Sequence, residues 1–116
     1  MPATSPPADR GELPPPTFVN VTPSTRYSDT LEITWIAPRV SGVAGYRILR
    51  NEIASGPYEL VDEATGAIFS DVMLKRDQRY YVVQTYDASG IRSGYSAEAN
   101  GLLPLFRVYL PLALRQ

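Results

Sequence analysis

The chain contains neither histidine nor cysteine. Their absence excludes disulfides, thiolate nucleophiles, zinc fingers and iron–sulfur ligation, and with them any Ser-His-Asp relay. It leaves the compartment open, because both a cytosolic protein and a secreted domain that relies on its core can lack cysteine. Charge of one sign is also lacking. The 11 basic and 12 acidic side chains give a formal charge of −1 and alternate along the chain without forming blocks. No face is set up to attract phosphate backbones or anionic lipid, so nucleic acid is not an expected partner. Lys75 is the sole lysine, every other basic residue being arginine. No apolar run approaches the roughly 18 residues of a spanning helix. The longest, Leu102 to Leu114, is broken by Pro104, Arg107 and Pro111. No basic and apolar leader follows Met1, so the expectation is either an intracellular protein or one whose export signal lies outside this sequence.

What is present fits one domain. The 116 residues, 44% hydrophobic and 20% charged, suffice for a modest core and argue against wholesale disorder. Residues 1–16 hold six of the eleven prolines, and Pro14-Pro15-Pro16 favours polyproline II. We read residues 1–13 as an extended arm or linker. From Thr17 the composition changes to short runs of period two between turn residues. Val19 and Val21 alternate with polar neighbours. Leu31-Glu32-Ile33-Thr34-Trp35 puts Leu, Ile and Trp on one face. Further runs at 46–50, 58–61, 67–70, 79–86 and 92–100 are separated by Ser41-Gly42, Ser55-Gly56-Pro57, Thr65-Gly66 and Asp87-Ala88-Ser89-Gly90. About seven short strands and no helix predict an all-β, antiparallel sandwich. The expected core is Val19, Val21, Leu31, Ile33, Trp35, Tyr46, Ile48, Tyr81 and Val83.

These runs resemble the fibronectin type III family. Leu31-x-Ile33-x-Trp35-x-x-Pro38 is similar to the family's second strand, and Gly45-Tyr46-Arg47-Ile48-Leu49-Arg50 to its third. Phe69-x-Asp71-x-x-Leu74 resembles the stretch leading into the penultimate strand. Tyr80 to Gly90 resembles the tyrosine-rich strand and its turn, and Ser93 with Tyr95-Ser96 fits the last strand. The resemblance runs from about Pro14 to Asn100. It implies a seven-stranded immunoglobulin-like sandwich over residues 14–101, with Trp35, Leu31, Ile33, Tyr46, Ile48, Leu74, Tyr80 and Val83 as structural core. It also implies a tyrosine whose hydroxyl bonds to backbone at a turn. Leu74 and Tyr80 have the family spacing, yet counting back from Asp87 the chain is one residue short. Either Tyr80 is that tyrosine and its strand carries a bulge, or Tyr81 takes the role. We favour Tyr80, with Tyr81, Val83 and Thr85 facing inward beyond the irregularity.

No catalytic, metal or cofactor site is expected. The carboxylates fall on turns and outward strand positions beside arginines, as on a solvated sheet, and no loop spaces the oxygen ligands calcium needs. No glycine-rich phosphate cradle is present. The segment 102–116 is too apolar for a free tail. Phe106, Val108 and Leu110 alternate with Arg107 and Tyr109, and Leu112 follows Pro111, so this segment is the candidate partner-binding region, as an extra strand or an assembly element. Its Val108-Tyr109-Leu110-Pro111-Leu112 resembles the endings of exported proteins in some filamentous thermophilic bacteria. The expected function is therefore a non-catalytic, extracellular or cell-surface module. Its partners would be proteins, either copies of itself or a cell-surface protein, with no small-molecule substrate. The alternatives are an accessory module of a larger secreted enzyme and an adhesion module for a surface or matrix protein.

Overall fold

The computed structural model describes residues 13–73 and 78–103. Within them the chain forms seven strands: β1 (Thr17–Pro23), β2 (Thr30–Ile36), β3 (Val43–Asn51), β4 (Glu59–Ala64), β5 (Ile68–Val72), β6 (Gln78–Asp87) and β7 (Ala99–Leu102). They pair antiparallel into a three-stranded sheet, β1-β2-β5, and a four-stranded sheet, β4-β3-β6-β7.

Period-two alternation builds the interior. From β2, Leu31, Ile33 and Trp35 face inward, and from β3, Tyr46 and Ile48. Val21, Met73, Tyr81, Val83 and Leu103 complete the cluster, with Val19, Val43, Ala64, Ala67, Phe69 and Ala99 packed around it. Trp35 meets Tyr46 edge-on, ring centroids 5.2 Å apart. An indole is large enough to span the gap between two sheets about 10 Å apart. Burial of Leu103 carries the packed unit past Gly101, where the sequence placed its boundary.

Gly101 itself is a close approach between sheets. A Cβ there would lie 2.3 Å from Val21 Cγ1, so β7 passes directly over β1. The two poles of the sandwich follow from β6. Leu102 pairs with Gln78 at its start, whereas Thr85 Oγ1, near its end, donates to the Pro14 carbonyl at 2.8 Å. Pro14 and Leu102 thus sit at opposite poles, seven residues of β6 apart, or about 23 Å at the rise of an extended chain.

The last expected strand, 92–100, is regular only in part. Arg92 forms a single bridge to Tyr86, and the ladder proper begins at Ala99. Between them serines complete the edge. Val83 N–H donates to Ser96 Oγ and Thr85 N–H to Ser93 Oγ, each at 2.9 Å, while the Ser96 and Ser93 amides donate to the Val83 and Thr85 carbonyls. The hydroxyls replace main-chain acceptors, which lets the chain leave extended geometry without orphaning amides of β6.

Candidate functional site

Leu31, Ile33, Trp35, Tyr46, Ile48 and Val83 lie in the interior. Tyr80 does not. It is half-buried on the outer face, and Tyr81, with no exposed surface, occupies the inward position. Pairing explains the correction. β6 runs against β3 without a bulge from Asn51↔Tyr80 to Gly45↔Tyr86, so alternation sends Tyr81, Val83 and Thr85 inward and Tyr80 and Val82 outward. Leu74, Phe106, Val108, Tyr109, Leu110 and Leu112 lie outside the described residues. Met73, not singled out from the sequence, fills an interior place by continuing the inward alternation of Phe69 and Asp71.

The inward-facing Tyr81 hydroxyl bonds to a side chain instead of backbone: it donates to Asp71 Oδ2. Arg50 Nη1 reaches the same carboxylate, 2.8 Å from Oδ1 and 2.7 Å from Oδ2. Asp71 belongs to the three-stranded sheet, Arg50 and Tyr81 to the four-stranded one. At 4% exposure Asp71 is no solvated surface carboxylate, contrary to the sequence reading. Both its oxygens are engaged, and the group ties sheet to sheet. Burial pulls the Arg50 guanidinium down, but the hydrogen bond and charge of Asp71 more than offset it, leaving its pKa above the ordinary value. Burial, then the bond to Asp71, pushes the Tyr81 phenol far above its ordinary range.

A second polar cluster fixes the β3–β4 loop against the chain before β7. Glu98 Oε2 accepts from the Ser55 amide at 2.6 Å and from the Tyr58 hydroxyl, and Tyr58 meets Tyr95 edge-on at 5.4 Å between centroids. Desolvation, then Glu98, raises the Tyr58 phenol to about 12. On the outer face of the larger sheet Tyr86 lies across Gly45, where a Cβ would stand 2.6 Å from its hydroxyl. That hydroxyl donates to Glu63 Oε1 at 3.3 Å, and Arg47 lies 3.7 Å from Glu63 Oε2. With Ala44, Asp87 and Arg92 they line an open groove of about 500 Å³.

The smaller sheet presents apolar side chains to solvent: Ile36, Ile68 and Val72 are each more than half exposed. Phe18, 80% exposed, sits where the β1–β2 register shifts between Thr17 and Asn20, with φ at 53°. A bulky residue in the left-handed region costs about 1–3 kcal/mol, and here the bulge turns the ring out of the core. Phe18 and Ile36, with Pro14, Pro15, Thr17, Ala37, Pro38 and Arg39, line an open groove of about 410 Å³ at the Pro14 pole.

No family model matches the sequence, and no curated protein sequence matches it. The arrangement of strands does have counterparts among solved structures. A fibronectin-type-III-like protein from Clostridium thermocellum superposes with a TM-score of 0.66 at 25% identity, over 79% of this chain and 96% of that one. The chain has the fibronectin type III fold. Titin domains A168–A170 match with a TM-score of 0.67 at 18% identity, over 79% of this chain and 32% of that one. A β-1,2-glucanase from Parabacteroides distasonis matches at 0.62 and 18%, over 81% of this chain and 13% of the enzyme. The same arrangement of strands thus makes up nearly all of one of these chains and small parts of the other two, one of them an enzyme.

Proposed function

We propose that this chain is a non-catalytic structural or protein-interaction module, exported to the cell surface or beyond, that associates with copies of itself through the apolar segment 104–116. One contrast carries the reading. The buried carboxylate is consumed by Arg50 and Tyr81 in joining the sheets, while Phe18, Ile36, Ile68 and Val72 stand in water on the surface. Reactive groups are used internally, and surplus apolar area faces outward, as an interaction surface requires. Export is supported by the resemblance of Val108-Tyr109-Leu110-Pro111-Leu112 to endings of exported proteins.

Sedimentation velocity at rising concentration tests association. The full chain should grow in mass with concentration, and a chain ending at Leu103 should not. A full chain that remains monomeric throughout removes self-association from the proposal. Surface proteolysis of intact source cells tests export: a protein protected until lysis contradicts it. A second reading, an accessory module of a larger secreted enzyme, draws on the match to one portion of the glucanase. A parent reading frame that continues upstream of Met1 into a catalytic domain would favour it.

A further inference from the structure

The position of the Phe18 groove relative to Leu103 bears on how copies join. The chain passes Leu103 at one pole, beside Gln78, and the groove of Pro14, Phe18, Ile36 and Pro38 opens at the other. We propose that segment 104–116 of one copy docks in the Phe18–Ile36 groove of the next, joining copies head to tail. The inference rests on the self-association proposed above and assigns its receiving surface.

Order along the segment favours a second copy over the chain's own groove. Leu105, Phe106, Val108 and Leu110 come early in the 13 residues after Leu103. Reaching the groove of its own molecule takes about 23 Å, or some seven extended residues. The apolar residues would then be spent crossing the molecule, and mainly Pro111 to Gln116 would arrive. With two copies stacked pole to pole, Phe106 meets the groove directly. A groove of about 410 Å³ holds a few side chains, and its prolines and exposed phenyl ring suit an apolar occupant. Because donor and acceptor surfaces differ and lie at opposite poles, copies stacked pole to pole each keep one free donor and one free acceptor, so growth continues past a dimer.

Two complementary variants test this. A chain ending at Leu103 keeps the groove and lacks the segment. The full chain with Phe18→Asn and Ile36→Thr keeps the segment and loses the groove lining; asparagine accepts the left-handed backbone at 18, and threonine suits the outward strand position at 36. Should that pair disturb folding, Ala37→Arg adds a charge beside Arg39 from an exposed position outside the strand. In sedimentation velocity the unaltered chain should pass beyond dimer as concentration rises. Each variant alone should associate at least tenfold more weakly. An equimolar mixture of the two should stop at a one-to-one dimer. If the full chain associates but the mixture does not, the groove is not the receptor, although self-association stands. If the groove variant polymerises like the unaltered chain, the assignment is likewise overturned. If the chain ending at Leu103 does so, the segment is not the donor and the underlying reading falls too.

Discussion

Replacing Asp71 by alanine would leave the Arg50 guanidinium and the Tyr81 hydroxyl facing an interior with no acceptor. Breaking a buried pair from one side costs about 3–5 kcal/mol. Because the Arg50 side chain is 36% exposed, water recovers part of this, and a loss of about 2–3 kcal/mol in urea denaturation is expected. The triple variant Asp71→Leu, Arg50→Met, Tyr81→Phe should lie much closer to the parent, since no orphaned partner remains. Equal losses in both would mean that the cluster matters through something besides its own pairing. Tyr81 also sets an alkaline limit. Its folded pKa is raised above the unfolded value of about 10, so above pH 10 the unfolded chain gives up a proton that the folded one keeps. Stability is then full below pH 10 and falls as pH rises further. Tyr81→Phe should make the alkaline decline of the denaturation midpoint less steep. A decline unchanged in slope would place the cause in Tyr58 and Tyr86, both shifted the same way. None of this was legible in the sequence. The period of Phe69, Asp71 and Met73 shows which face Asp71 shares, but charge argues for solvent, and its partner Arg50 comes from the other sheet, 21 residues earlier. Likewise the Tyr80-Tyr81 pair reads equally well in either phase, and only the register with β3 decides between them.

At the scale of elements, the regular strands followed from alternation, because β1, β2, β3 and β6 each carry apolar residues two apart. The stretch before β7 did not. Ser93 and Ser96 are three apart, a spacing that no extended strand repeats, and their purpose appears only beside β6. Ser93→Ala should expose the Thr85 amide and Ser96→Ala the Val83 amide, each costing about 1–3 kcal/mol as a buried donor loses its acceptor. Hydrogen exchange at these two amides should quicken selectively. Exchange that quickens evenly across β6 would mean global destabilisation instead of loss of the local bond. The seam between sheets gives a further expectation. At concentrations too low for association, a chain ending at Leu103 should melt with the full chain, whereas one ending at Gly101 loses a buried leucine, worth about 2–5 kcal/mol in such sites. Identical melting of the two shortened chains would contradict the placement of Leu103 in the core.

For the molecule as a whole, the sandwich was legible because turn residues recur between short runs, whereas its polarity was not. Which pole holds Pro14 and which Leu103 depends on how many strands lie between them and on the pairing of β6 with its neighbours. Phe18 illustrates the limit. In sequence it continues a strand, and only the bulge and its left-handed backbone turn it outward. Having the two ends at opposite poles also governs how the domain bears tension. A pull applied at Pro14 and Leu103 runs lengthwise along β1 and β7, loading the β1–β2 and β6–β7 ladders in shear, so that their bridging bonds resist together instead of tearing one after another. Stretched between those residues, the domain should withstand more force than when β4 is drawn sideways from β3.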